Sequence, residues 1–220
     1  REIAPLVAPA GAAIVMGGAI SDTSGRLALK SVTLSNGQTI ETDCLAVSGG
    51  WNPNVHLTCH QRGRPQWNAA INAFVPGGEL PVGMRVAGSA SGALTLAACL
   101  AQGHKAASEA AKALGFTPSR SRPAPASDEA SANSAFWHVG KNKKRAWVDL
   151  QNDVTTKDIK LSHREGFRSV EHLKRYTTMG MATDQGKTAN ILGLAIMAEA
   201  SGKSIPETGT TIFRPPYTPV

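Results

Sequence analysis

The segment "MRVAGSASGALTLAACLAQGHKAASEAAKALG", residues 84–115, carries the pattern that decides the fold of the first half of the chain. It predicts a strand, a turn containing Gly88 and Gly92, and then a helix that Gly115 ends. Apolar residues recur at three- and four-residue intervals along the predicted helix: Leu94, Ala97, Ala98 and Ala101. Backbone N–H groups at such a turn suit a dinucleotide phosphate or ribose, although many α/β units pack through similar glycines with nothing bound.

The residues before this segment predict more β structure. "KSVTLSNGQTIETD", residues 30–43, predicts a hairpin in which Val32 and Leu34 alternate with polar neighbours and the chain returns through Ile40 after an Asn-Gly turn. "CLAVSGG", residues 44–50, predicts a short buried strand of a parallel sheet. The first region, residues 1–115, is therefore expected to be α/β.

The composition excludes several classes of protein. The chain has 220 residues, 41% of them hydrophobic, which is enough to bury a core. Its formal charge of +7 is concentrated in short Lys/Arg runs without interleaved aromatic residues, so we expect no nucleic-acid binding. No run approaches the ~18 consecutive apolar residues that span a bilayer, so we expect no membrane span. The three cysteines have no metal or redox spacing and no signal peptide is visible, which predicts a cytoplasmic protein with reduced thiols.

The second half of the chain has a different composition. Residues 116–137 are rich in Ser, Pro and Ala and predict a flexible linker. Residues 138–220 predict a mostly helical unit, with Thr155 or Thr156 as the first N-cap and Ser169 starting the next helix. The start at Arg1 and the end in "FRPPYTPV" suggest a fragment of a longer polypeptide.

Three other site types are disfavoured by spacing. "TTMGMATDQGKTAN", residues 177–190, contains Gly-Lys-Thr, but a P-loop would need its first glycine at Met181 and an apolar strand before it. His56, Cys59 and His60 have no third ligand partner nearby, so a structural role is expected for them. No G-x-S-x-G elbow of a hydrolase occurs.

Asp43, "SGGWNPN" and "VAGSASG" in this order resemble the closing part of the two-dinucleotide-binding flavoproteins. In that family a Gly-Asp turn binds the cofactor, whereas here Ser89 follows Gly88. The resemblance implies a Rossmann-like domain that holds a dinucleotide other than FAD. The residues implied to line an NAD pocket are Gly88, Ser89, Gly92, Leu94 and Leu96.

"WVDLQNDVTTKDI" and "REGFRSVEHLKRYTTMGMATDQGKT", residues 147–159 and 164–188, resemble the small ferredoxin-like domain of bacterial nitrite reductases and amino-acid or opine dehydrogenases. Those domains hold a two-iron two-sulfur cluster with four thiolates. The matching positions here are Asp149, Gln151, Asp184 and Ala189. We therefore expect neither a cluster nor another bound metal.

Together with "TTIFRPPYTPV", these motifs resemble the α subunits of heterotetrameric sarcosine oxidases. The resemblance implies oxidative demethylation of sarcosine to glycine, with oxygen reduced to hydrogen peroxide and the methylene group passed to tetrahydrofolate by a domain outside this chain. It also implies NAD in this subunit, FAD in the β subunit, FMN at the α/β interface, and β, γ and δ partners. No catalytic residue is expected here. Arg175, Thr178 and Lys187 are candidates for the FMN interface because hydroxyls and cations suit a phosphate.

Two alternatives remain open at this point. The chain could belong to the α subunit of an opine or hydroxyproline dehydrogenase complex, although those relatives usually keep the cluster. It could also be a non-catalytic module whose positive surface docks on an acidic subunit.

Overall fold

The computed structural model describes residues 11–118, 121–127, 134–139 and 144–217. Seven strands are present in these ranges: β1 Ile20–Ser24, β2 Ser31–Leu34, β3 Thr39–Glu41, β4 Gln66–Asn68, β5 Ala73–Val75, β6 Trp147–Asp149 and β7 Val154–Thr155. Five α-helices are present there: α1 Leu96–Ala113, α2 Thr156–Arg164, α3 Val170–Thr177, α4 Asn190–Ser201 and α5 Ile205–Thr208. The predicted class, α/β followed by a mostly helical part, is confirmed.

By internal contacts the chain divides into two compact units. The first comprises the described residues of Arg1–Gly49 and His138–Arg145, and the second those of Gly50–Trp137 and Ala146–Val220. The boundaries inferred from composition, 1–115, 116–137 and 138–220, remain a prediction. Parts of the expected linker, 119–120 and 128–133, lie outside the described residues, as do 1–10, 140–143 and 218–220.

The first unit is built on an antiparallel sheet of order β1-β2-β3. Val32 pairs with Ile40, and both Val32 and Leu34 are buried. Gly37 turns the chain with φ +89° and donates its N–H to the carbonyl of Leu34. The predicted hairpin is confirmed, because alternation and the Asn-Gly turn specify the register locally.

The expected parallel strand at 44–50 is wrong. The structure has no strand there, and Val47 is 80% exposed. A parallel strand needs hydrogen-bonded neighbours and covering helices, and no described residue pairs with this segment. Residues 84–87 likewise form no strand, which corrects the first element of the 84–115 pattern.

Helix α1 is confirmed, with its start at Leu96 rather than at Leu94. Thr95 is the N-cap, and its hydroxyl accepts the N–H of Ala98. The helix ends at Ala113, and Gly115 takes φ +81° just beyond it. None of its eighteen residues, all described, is buried.

The helical part is confirmed with its predicted caps. Thr155 precedes α2, and its N–H and hydroxyl both donate to the Asp158 carboxylate, at 2.8 and 2.6 Å. Ser169 caps α3 by accepting the N–H of His172. The core beneath β6, β7, α2 and α4 consists of apolar side chains: Val148, Val154, Ile159, Leu173, Met179, Ala189, Ile196 and Met197.

A second apolar cluster connects α3 and α4 to the β4–β5 hairpin. Its buried members are Phe74, Val170, Ile191 and Leu194, and Trp67, Trp137, Ile205 and Phe213 pack against them. Strands β4 and β5 form a two-stranded antiparallel sheet in which Trp67 pairs with Phe74, and their ring centroids are 5.1 Å apart. Among the described helices none is long and apolar enough to cross a membrane.

Candidate functional site

The predicted dinucleotide turn, Gly88–Ser91, forms a single 3-10 turn ahead of α1. Gly88 has φ +67°, and its N–H donates to Oε1 of Gln102 at 2.9 Å. The hydroxyl of Ser91 lies 2.6 Å from the same oxygen. The Gly88 donor is therefore satisfied by a side chain of α1, and a ligand acceptor at this position would replace Gln102.

The other residues implied for NAD lie in the same stretch. Ser89 is exposed and Leu94 is half-buried. Leu96, the first residue of α1, is 59% exposed. Gly92, with φ +91°, brings the backbone so close to β5 that a Cβ would lie 2.8 Å from Cγ1 of Val75. The structure places these residues together along the chain, and their contact with NAD stays a prediction.

The four positions that match cluster thiolates are joined by hydrogen bonds and packing. Asp149 is buried and accepts the N–H groups of Gly180, Gln151 and Asn152, at 2.7, 2.9 and 3.1 Å. Oε1 of Gln151 lies 3.4 Å from the N–H of Asp184. Ala189 is part of the apolar core. Carboxylate and amide groups therefore tie the β6–β7 turn to residues 178–189.

The backbone N–H groups and the hydroxyl of the Gly-Lys-Thr triplet are bonded within the loop and are not free to bind a phosphate. The N–H groups of Gly186 and Thr188 donate to the carboxylate of Asp184, as does the Thr188 hydroxyl at 2.7 Å. Burial favours the protonated acid, but these hydrogen bonds outweigh it and hold the pKa of Asp184 below its ordinary value. Lys187 donates to the backbone carbonyl of Arg214 at 2.7 Å. The loop is closed on itself, as the missing P-loop glycine predicts.

A cavity of about 990 Å³ opens in the second unit next to this loop. The β4–β5 hairpin, α3 and the residues after α5 contribute its walls. The described charged residues that line it are Arg62, Arg64, Glu171, Lys174, Arg175 and Arg214, and Trp67, Phe74 and Tyr217 supply aromatic surface. Five cations against one carboxylate favour an anionic ligand with an aromatic portion.

Lys174 is the least exposed of the five cations that line this cavity. Its side chain is on α3 and the residue is 7% exposed. Among the described residues no hydrogen bond reaches its ammonium group. Desolvation, together with the charge of Arg214, lowers the pKa of Lys174, while Glu171 and Asp184 act in the opposite direction. A desolvated cation without a hydrogen-bonded partner is a strong site for an anion.

Of the three FMN candidates from the sequence, Arg175 is among the residues that line this cavity, and Lys187 and Thr178 are not. Arg175 lines it and also lies 3.9 Å from the carboxylate of Glu171. Lys187 is not among the lining residues described, but the residue whose carbonyl it binds, Arg214, is. Thr178 ends α3 in the left-handed conformation, and its carbonyl accepts a hydrogen bond from Asn152 at 2.9 Å.

Sequence reasoning missed Lys174, Arg214, Arg62 and Arg64. Lys174 is adjacent to Arg175, and helical spacing could have shown that it shares a face with Val170, four residues earlier. Arg62 and Arg64 flank Gly63 in "QRGRP", a basic turn whose role depends on residues more than a hundred positions away. That proximity has no local signal.

His56, Cys59 and His60 occupy a 3-10 turn and its end. Nδ1 of His56 lies 2.8 Å from the side-chain oxygen of Asn54, and Cys59 is buried against the cavity. Desolvation, with repulsion from Lys187 and His60, lowers the pKa of His56. In the part of the chain that the structure describes, no three His, Cys, Asp or Glu residues form a metal-binding group.

Residues 143–220 match the family model described as the sarcosine oxidase A3 domain. The chain is also 42% identical over 214 residues to the sarcosine oxidase subunit alpha of Rhizobium meliloti (strain 1021), a match that covers 95% of this chain and 22% of the relative. This chain is a homologue of part of the sarcosine oxidase alpha subunit. The resemblance carried by the 147–220 motifs is thereby confirmed.

A second alpha subunit, from Corynebacterium sp. (strain U-96), is 36% identical over 215 residues, covering 91% of this chain and 22% of the relative. The chain thus spans about a fifth of the length of the sarcosine oxidase subunits it matches. Among solved structures, L-proline dehydrogenase from P. horikoshii superimposes with a TM-score of 0.73 at 19% identity, over 91% of this chain and 43% of that one. This similarity shows a shared fold.

Proposed function

We propose that this chain is a segment of the alpha subunit of an oxidoreductase complex that oxidatively demethylates sarcosine to glycine. The homology to sarcosine oxidase alpha subunits over 95% of the chain supports this function. Oxygen would be reduced to hydrogen peroxide and the methylene group transferred to tetrahydrofolate. The amine would be oxidised in the β subunit, which would hold FAD, and γ and δ subunits would complete the complex.

The contribution of this segment would be to hold one face of FMN at the boundary with the β subunit. The observation that carries the proposal is the side chain of Lys174, largely buried in a cavity that four arginines also line. FMN has a dianionic phosphate and a flat aromatic ring, and the cavity supplies matching cations and aromatic walls. A volume of about 990 Å³ is also within the range of ligand sites of about 300–1,000 Å³.

Each cation would have a distinct part in binding. Lys174 would neutralise the phosphate as a point charge, and Arg62, Arg64 and Arg214 could each bind phosphate oxygens in pairs. All four arginines are exposed, and Arg175, whose side chain is 71% exposed, is placed at the rim. When bound, the flavin would supply reversible electron transfer, and this chain would orient it and exclude water.

NAD would bind at Gly88, Ser89, Gly92, Leu94 and Leu96. The left-handed Gly88 and its N–H, which already bonds an amide oxygen of Gln102, support an acceptor at this position. The exposed start of α1 would cover one side of the dinucleotide. A ligand oxygen that displaced the side-chain oxygen of Gln102 would accept the hydrogen bond from the Gly88 N–H in its place.

The test is the flavin content of the complex that contains the full-length alpha subunit. Lys174→Met should lower the FMN content to less than half of the wild-type content, because the phosphate loses its buried countercharge. FAD and the subunit composition should be unchanged. Lys160→Met, which removes an exposed lysine from α2, is the matched control and should retain FMN. Normal FMN content in Lys174→Met would reject this cavity as the site.

The same preparation distinguishes the alternatives. A complex that assembles but contains neither FMN nor NAD would support a non-catalytic interaction module. A complex with flavin that does not reduce oxygen, and passes electrons to another acceptor, would support a dehydrogenase. The positive lining of the cavity is compatible with an acidic partner surface, and this is why assembly and cofactor content are measured separately.

A further inference from the structure

Residues 209–217, here called the strap, follow α5 and form one wall of the cavity. Six strap residues line it: Gly209, Thr210, Thr211, Ile212, Arg214 and Tyr217. The strap has neither helix nor strand, so backbone hydrogen bonding of its own does not fix its position. Its place over the cavity depends on individual contacts to other elements.

Hydrogen bonds and ring packing with described residues outside it attach the second half of the strap. The N–H of Tyr217 donates to the carbonyl of Thr183 at 2.7 Å. The ring of Phe213 packs on Phe74, with centroids 5.9 Å apart. The ammonium group of Lys187 donates to the carbonyl of Arg214 at 2.7 Å and lies 6.0 Å from the centroid of the Phe213 ring.

Lys187 is well placed to decide whether the strap stays closed. Among these contacts, its hydrogen bond to Arg214 is the one that joins a charged group to the strap backbone, and a hydrogen bond from a cation is stronger than one between neutral groups. Asp184 stabilises the cation, while burial disfavours it and lowers the pKa of Lys187. The same bond fixes the backbone from which the Arg214 side chain extends into the cavity wall.

We propose that Lys187 is a positioning residue that latches the strap over the cavity. It acts through the backbone of Arg214 and does not itself contact the ligand. The identity of that ligand as FMN rests on the proposed function, whereas the latch rests on contacts within this chain. Loss of the latch opens the cavity to solvent and leaves Arg214 without a fixed position.

Cys59 provides a readout that does not depend on the ligand. It lines the cavity and is 5% exposed, whereas Cys99 lies on α1 and is half-buried. In the complex with the full-length alpha subunit, Lys187→Met should increase the rate of Cys59 alkylation by N-ethylmaleimide about tenfold, the change expected for loss of one charged hydrogen bond. Peptide mapping by mass spectrometry measures both cysteines together.

An increase in the rate of Cys59 alkylation would separate access to the thiol from an electrostatic effect of Lys187. Lys187 is close enough to Cys59 for their charges to interact, and removal of a neighbouring cation makes a thiol less reactive. A faster reaction therefore reports access. Amide hydrogen exchange of the strap should rise with it, most clearly at Tyr217, whose N–H bond to Thr183 is next to the latch.

Two variants complete the experiment. Lys187→Arg keeps a cationic donor and should restore slow Cys59 alkylation, and Lys160→Met should resemble the wild type. Unchanged Cys59 alkylation and strap exchange in Lys187→Met would refute the latch, as would equal acceleration at Cys59 and Cys99, which indicates general loosening. Faster Cys59 alkylation in Lys187→Met, together with a wild-type complex that contains no FMN, would refute the FMN proposal and support the latch.

Discussion

Helices α1 and α4 show how differently two helices of one chain can be stabilised. Eight of the twelve residues of α4 are buried, including Leu194, Ile196 and Met197. Helix α1 is longer, with eighteen residues, all described, and has none buried. Its sequence is rich in alanine, the best helix former, and has a Thr95 cap and Gly115 at its end.

The difference in burial between α1 and α4 separates the contribution of helix propensity from that of tertiary packing. Propensity and caps favour α1 although none of its residues is buried, whereas α4 contains the β-branched Ile191 and Ile196, which favour a helix less. α4 therefore depends on the apolar side chains of α2, α3 and the β4–β5 hairpin. Mutations of the same kind in the two helices should differ accordingly.

The largest expected effect comes from truncating leucine in the two helices. Leu194→Ala should destabilise the protein by about 2–5 kcal/mol, because Leu194 is 1% exposed and its removal leaves a cavity. Leu96→Ala should change stability by less than about 0.5 kcal/mol, since Leu96 is largely exposed. Urea denaturation followed by circular dichroism measures both. Equal losses would mean that α1 is packed as tightly as α4.

Both helices were predicted from the sequence, α4 from the apolar stretch "TANILGLAIMAEASGK" of the helical unit, but the contrast in their burial was not. The hairpin at 30–43 and the Thr155, Ser169 and Gly115 signals were also predictable, since each depends on hydrogen bonds and conformations of neighbouring residues. Local pattern failed for 44–50, where an apolar run indicated a buried strand. Whether such a run is buried depends on elements distant in sequence, and Val47 is exposed here.

The candidate site was predicted less well for the same reason. Arg175 was identified from its own helix and lines the cavity. Lys174, on the same helix, was missed although it is the buried one. Arg62 and Arg214 meet across the cavity from segments about 150 residues apart. Local sequence patterns do not show which distant segments come together in the folded chain.

Replacement of Lys174, whose helix packs against α4, is expected to have an intermediate effect on stability. Unlike Leu194→Ala, it should stabilise the protein. Lys174→Met should stabilise the ligand-free protein by about 1 kcal/mol near pH 7, because it removes a desolvated charge and keeps an apolar stem. The matched change on α1, Lys112→Met, should be neutral because Lys112 is exposed. Thermal unfolding of the two variants measures the difference.

The pH dependence checks the cause of this gain. Burial lowers the pKa of Lys174, so the unfolded chain binds more protons than the folded one between the lowered pKa and the ordinary value of 10.5. The penalty is complete below the lowered pKa and disappears as the pH rises through this window. The advantage of Lys174→Met should shrink in the same window. A constant advantage at all pH values would assign it to packing instead.

The smallest effect is a glycine substitution within α1. Gly103 is in the helix interior, and a Cβ built there meets no atom within 4 Å. Gly103→Ala should therefore stabilise the protein by about 0.5–1 kcal/mol through helix propensity alone. Gly115→Ala, just past the end of the same helix, should destabilise it, because Gly115 has φ +81°. A loss of stability in Gly103→Ala, measured by urea denaturation, would contradict the open position of this glycine on α1.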